Sequence, residues 1–137
     1  FSTVDAFISA AETYRICVIW DLFHYGFPKN LNLLSASFVS RFADYCHAVA
    51  HYLRSRVEGA LWITPINEPS FMAYAGGEVG LFAPWLTGRG FELKVALAEA
   101  AIAGIDAIRA VDPDARIVNA APAAPARTRV RSRGHAV

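Results

Sequence analysis

Several things are scarce in this sequence, and each scarcity removes a class of function. It holds two cysteines, Cys17 and Cys46. One lies in an apolar run and the other in a helical stripe, the setting of buried thiols rather than of a disulfide framework or a thiolate metal site. No uninterrupted apolar run reaches the ~18 residues of a membrane-spanning helix. Charge of one sign is lacking too: the formal net charge is +1. Four arginines, Arg127, Arg129, Arg131 and Arg133, supply it, and without them nine basic residues face twelve acidic ones, leaving residues 1–120 at −3. Such a body has no basic stripe to grip a phosphate backbone, which argues against a nucleic-acid partner. Neither a glycine-rich phosphate loop nor a dinucleotide fingerprint follows any apolar run. His47 and His51 have the spacing of helical metal ligands, but no glutamate follows His47 as a zincin helix requires. Neither metal nor cofactor is expected. Phe1-Ser2-Thr3-Val4-Asp5 carries no initiating methionine and no basic leader, so no signal peptide is read there. Cytoplasmic placement is favoured over secretion, and a start within a longer gene is expected.

What the chain does have is apolar content. Hydrophobic residues make up 55% and charged residues 18%, against about 45–50% apolar in ordinary soluble domains. Elements covered on both faces, as in parallel α/β folds, account for such a balance. Val4, Phe7, Ile8 and Ala11 recur at helical spacing over Ser2 to Thr13. Arg15-Ile16-Cys17-Val18-Ile19-Trp20 follows, a run whose length and β-branching predict a buried strand. From Ser37 to Arg56, Phe38, Phe42, Cys46, Val49 and Leu53 form one stripe at about 100° per residue, with Ser35 or Ser37 as N-cap. Ala60-Leu61-Trp62-Ile63-Thr64 predicts a second strand. Between Ser70 and Gly90 five glycines and a proline break every period, which predicts a long loop. Leu93, Leu97, Ala100, Gly104, Ile108 and Val111 mark a further helix. Gly104 stands mid-stripe, where it would admit a close neighbour. Asp112-Pro113-Asp114 ends that helix, and Arg116-Ile117-Val118-Asn119 begins a third strand.

Helices alternating with strands imply an α/β fold with a parallel sheet and right-handed crossovers. An open doubly wound sheet and a (β/α)8 TIM barrel both satisfy the order. A barrel needs about 250 residues, so the chain would supply a partial one. Residues 1–120 are read as that partial barrel. Residues 121–137, rich in alanine, proline and arginine, abandon every period and read as a disordered or non-native continuation, such as a truncated or frame-shifted gene end.

Barrel chemistry sits at the C-terminal ends of the strands. The first strand ends in Trp20-Asp21-Leu22-Phe23-His24-Tyr25-Gly26-Phe27-Pro28 and the second in Asn67-Glu68-Pro69. A carboxyl at an apolar strand mouth, such as that of Glu68, has the surroundings that keep a general acid protonated. Asn67 offers a donor and an acceptor to a sugar hydroxyl. Taken alone, the tripeptide is equally a capping glutamate before a loop.

Leu22-Phe23-His24-Tyr25-Gly26-Phe27-Pro28 resembles the Leu-Tyr-His-Trp-Asp-Leu-Pro motif that ends strand three of family 1 glycoside hydrolases. Trp62-Ile63-Thr64-Pro65-Ile66-Asn67-Glu68-Pro69 resembles the same family's Trp-Xaa-Thr-Xaa-Asn-Glu-Pro at the end of strand four. Gly76 to Pro84 is similar to the glycine-containing loop that follows. There are two departures: an extra residue between Thr64 and Asn67, and Tyr25-Gly26 in place of Trp-Asp. Family 1, or a close relative in the same barrel clan, is the resemblance, over residues 1–120 and from about helix two to strand five.

The resemblance implies retaining hydrolysis of β-glycosides. Glu68 would be the acid/base, Asn67 would bond the 2-hydroxyl, His24 would hold a hydroxyl of the non-reducing sugar, and Tyr25 would wall the subsite. Trp20 and Asp21 would support the strand end. The nucleophile would come from strand seven, which the matching segment does not include; Glu78, in the glycine-rich loop, is a poor platform for it. The chain alone would then carry half a catalytic pair. A non-catalytic carbohydrate-binding remnant is the alternative, and an unrelated open α/β protein a third reading. Exposed strand edges of a partial barrel would also allow self-association.

Overall fold

A computed structural model describes residues 2–121. Helix α1 spans Ser2–Tyr14, strand β1 Ile19–Asp21, helix α2 Ala36–Arg54 and strand β2 Trp62–Thr64. A short helix α3, Pro69–Met72, runs into a π-helical turn, Ala73–Glu78, and helix α4, Gly90–Val111, leads to strand β3, Arg116–Ile117. The strands form one sheet in the order β1-β2-β3, both pairings parallel, with Trp20 beside Ile63 and Ile63 beside Ile117. This is the parallel α/β arrangement expected of part of a TIM barrel. The expected tail, apart from Ala121, lies outside the described residues.

Helix-to-helix packing sets the core. The buried stripe of α2 is Phe38, Phe42, Cys46, Ala50 and Leu53, with Ala50 taking the place expected of Val49. That of α4 is Gly90, Leu93, Leu97, Ala100, Gly104 and Ile108. One buried cluster joins both stripes to Leu61 and Ile63 at the second strand. Gly104 lets the helices approach closely: a Cβ there would stand 2.9 Å from Cys46 Sγ and 3.0 Å from a Phe42 ring carbon. The N-cap position of α2 is Ser35, but its hydroxyl bonds the Asn32 carbonyl and Ser37 Oγ rather than a helical N–H.

Three expectations need correction. The first strand is shorter than its apolar run and is not covered on both faces: Ile16 and Ile19 are 61% and 53% exposed. Among the described residues it is an edge strand, with a partner on one side only. Cys17, in the same run, is therefore exposed, whereas Cys46 is buried; burial pushes its thiol up to about 12. The third correction concerns residues 70–90. Their glycines do not make a structureless loop. Gly76 and Gly77 lie buried in the π-helical turn, where a Cβ would stand 3.0–3.4 Å from Phe82, Ala83, Pro84, Gly90 or Leu93. These glycines serve close packing, not disorder. Val79 and Thr87 close the segment with an antiparallel bridge.

Candidate active site

The residues carrying chemistry sit where the strands stop. Past its regular pairing, β1 continues through Leu22, whose N–H donates to the Thr64 carbonyl at 3.0 Å. Pro65 has no N–H to offer the ladder, and the chain bends over residues 65–67. Pairing resumes where Asn67 N–H donates to the Phe23 carbonyl at 3.0 Å and Glu68 N–H to the Ala120 carbonyl at 2.8 Å. Glu68, tied to the chain beyond β3, then occupies the N-cap position of α3 with Pro69 next. Proline suits the first helical turn, where its missing N–H costs nothing.

Four predicted side chains come together here. Tyr25 Oη donates to Glu68 Oε2 at 2.6 Å, and Asn67 Nδ2 donates to Tyr25 Oη at 3.3 Å. The His24 ring lies 4.8 Å from that of Tyr25, centroid to centroid. Its Nδ1 is 2.6 Å from Asp21 Oδ2, so Asp21 orients the ring and leaves Nε2 without a protein hydrogen bond among the described residues. That is the usual way a carboxylate fixes an imidazole's tautomer. His24 is exposed, while Tyr25, Asn67 and Glu68 are half-buried. Burial first, then the hydrogen bond to Glu68 and its charge, push the Tyr25 phenol up to about 12; the Asn67 hydrogen bond works the other way.

Two aromatic rings belong to the site that sequence reasoning did not single out. Phe71 of α3 and Phe82 lie 5.8 Å and 5.4 Å from the Tyr25 ring and 6.1 Å from each other. Phe82 stands in the segment that resembles the family loop, a signal that pointed to the place but not to the contact. Phe71 carries no local pattern. Asp21 was expected to support the strand end; in the structure its carboxylate bonds the His24 ring.

Glu78 lies elsewhere. It ends the π-helical turn, and its Oε2 accepts from Gly90 N–H at 3.0 Å, satisfying an orphan donor at the start of α4. A cavity of about 630 Å³ opens at the other end of the strands, lined by Ile8, Glu12, Arg15, Cys17, Glu58 and Trp62 among others. It is remote from the Glu68 cluster in the fold. His47 and His51 are exposed on α2. Among the described residues no group of histidine, cysteine or acidic side chains is arranged to hold a metal ion. No helix among them is long and apolar enough to cross a membrane.

Residues 4–133 match the family model of Glycosyl hydrolase family 1. No curated protein matches the sequence. Among solved structures, β-glucosidase from Thermotoga maritima in complex with glucoimidazole superposes with a TM-score of 0.75 at 22% identity, over 83% of this chain and 27% of that one. The AHE enzyme from Alicyclobacillus herbarius gives 0.72 at 21% identity, over 80% and 26%. Virulence factor SghA, in complex with its substrate analog salicin, gives 0.74 at 20% identity, over 83% and 26%. The chain thus spans about a quarter of the length of the solved structures it matches.

Proposed function

The chain belongs to glycosyl hydrolase family 1, and on that premise we propose that it carries the acid/base half of a retaining β-glycosidase site, with Glu68 as acid/base. One observation supports this above the rest: Glu68, at the family's Asn-Glu-Pro position, is half-buried and hydrogen-bonded to Tyr25 where the parallel strands end. In such a mechanism a nucleophilic carboxylate about 5–5.5 Å from the acid attacks the anomeric carbon. Glu68 gives its proton to the departing glycosidic oxygen. In the second step it takes a proton from the water that cleaves the glycosyl ester. Asn67 and His24 are placed to hold sugar hydroxyls: Asn67 beside the reacting carboxyl, and His24 through the Nε2 that Asp21 leaves free.

The second carboxylate lies outside the described residues in this reading. Asp21 is engaged by His24 and Glu78 by the Gly90 N–H. The substrate class is a β-glycoside, in keeping with the β-glucosidases of the same fold. The test is an assay with aryl β-glycosides of this 137-residue chain and of a complete barrel that contains it, each with and without Glu68→Gln. The complete barrel is expected to hydrolyse them and to lose that activity with Glu68→Gln; the chain alone is expected to be inactive. Activity in the chain alone, abolished by Glu68→Gln, would reveal a nucleophile within these 137 residues and overturn the half-site reading. A complete barrel whose activity survives the substitution would remove Glu68 from its role.

A further inference from the structure

The position now held by Tyr25 is tryptophan in the family motif, and the exchange introduces a hydroxyl beside the acid/base. That hydroxyl both accepts and donates. It accepts Asn67 Nδ2–H at 3.3 Å and donates its O–H to Glu68 Oε2 at 2.6 Å, a short hydrogen bond. Glu68 Oε1 has no protein hydrogen bond among the described residues. Phe71 and Phe82 pack on the Tyr25 ring and fix its plane. The backbone is arranged for this contact at a cost. Tyr25 and Glu68 both sit in the left-handed region, at φ +65° and +42°, two of only four non-glycine residues described there. Such a conformation is unfavourable for a residue with a Cβ, and outliers of this kind persist where surrounding structure enforces them.

We propose that Tyr25 is a positioning residue for Glu68: the relay Asn67–Tyr25–Glu68 immobilises Oε2, leaving Oε1 as the oxygen that exchanges a proton with substrate and water. The inference rests on the reading of Glu68 as acid/base. The phenol keeps its proton throughout. Its bond to Oε2 is strongest when Glu68 is ionised, the form that must receive a proton in the second step, and it holds the carboxyl plane through the first. With its proton so engaged, the Tyr25 hydroxyl has no donor left for a sugar.

The relay has a signature that packing alone lacks, because its two arms act on the phenol in opposite senses. The charges around it are those of Glu68 and Asp21, which both hold the proton on, and the titratable ring of His24 lies beside it. Difluorotyrosine placed at position 25 of the full chain brings the phenol's titration into a range a folded protein tolerates, and 19F NMR follows that single group. Glu68→Gln is expected to make the phenol roughly tenfold more acidic, the size of one charge-assisted hydrogen bond. Asn67→Ala, which removes the donor that stabilises the phenolate, is expected to make it less acidic. Unfolding cannot imitate the pair, since it would drive both variants the same way. No change with Glu68→Gln, or an equal gain of acidity in both variants, would leave burial as the whole cause and overturn the relay. The measurement involves no sugar, so its failure would leave the glycosidase reading standing. An inactive complete barrel with the relay intact would instead remove the catalytic reading.

Discussion

Arg54 ties two backbone carbonyls and a buried carboxylate together with one guanidinium. Its Nη1 donates to the Gly59 carbonyl at 2.7 Å and to Asp112 Oδ2 at 3.1 Å, while Nη2 donates to the Val57 carbonyl. Asp112 is 7% exposed, and its other oxygen accepts from the Asp114 N–H. The aspartate that looks from sequence like a helix stop is thus the buried end of a staple between the C-termini of α2 and α4. Arg54→Met keeps the aliphatic stem and removes the partner, leaving a buried carboxylate without its cation. A loss of about 1–3 kcal/mol is expected, read as a lower urea midpoint at unchanged slope. Tyr25 makes a second residue-level prediction. Its phenol, near 10 in an unfolded chain, is held at about 12 in the fold. A folded value above the unfolded one gives stability that is complete below pH 10 and is lost as pH rises toward about 12. Urea unfolding from pH 9 to 12 should show that fall, and Tyr25→Phe should make it shallower.

Long elements with a strong period were legible in the sequence; short ones set by tertiary contacts were not. The stripes of α2 and α4 were readable because each needs one face dry over many turns, and the order of strands followed from them. The π-helical turn was hidden, since the glycines that permit its close packing are the same residues that signal a loop. At the candidate site, Glu68, Asn67, His24 and Tyr25 were readable as candidates from motif and strand end. The hydroxyl-to-carboxylate bond was not, because it spans 43 residues of chain. Phe71 escaped for the same reason. Two substitutions test how these elements are held. Gly104→Ala gains about 0.5–1 kcal/mol of helix propensity. It also drives a methyl to 2.9 Å from Cys46 Sγ, and overpacking of that kind costs about 1–3 kcal/mol. The expected net result is a lower melting temperature, partly restored when Cys46→Ala is added, a coupling that a double-mutant cycle would measure. Glu78→Ala removes the acceptor at the start of α4 and is expected to cost about 0.5–2 kcal/mol, seen as reduced amide protection at Gly90.

At the scale of the whole molecule, the sheet has two outer edges, and among the described residues no further strand pairs with either. Beta-strands β1 and β3 each pair with β2 alone, whereas parallel sheets are ordinarily paired and covered throughout. Beside the β1 edge lie Ile16 and Ile19, 61% and 53% exposed, and on the face of α4 lie Phe91 and Ile102, 80% and 62% exposed. Unpaired backbone beside apolar side chains is a template for another strand. The free energy to be recovered is that of the apolar area these residues expose, at about 25 cal/mol per Å², with ladder hydrogen bonds in addition. Little opposes it: the chain carries a formal charge of +1 at neutral pH, too small for self-repulsion to keep copies apart. Purified chain is therefore expected to associate as its concentration rises, with a mass by light scattering that grows beyond one copy. Ile19→Lys places a charge on the exposed edge, the device natural edge strands use to refuse partners. It should lower the association without lowering the urea midpoint, because the side chain it replaces is already half in water. Were the chain to remain a single copy at all concentrations while keeping its helical circular dichroism, the open edges would not be adhesive. Loss of association with Ile19→Lys, at unchanged stability, would place the contact on the β1 edge rather than on the apolar face of α4.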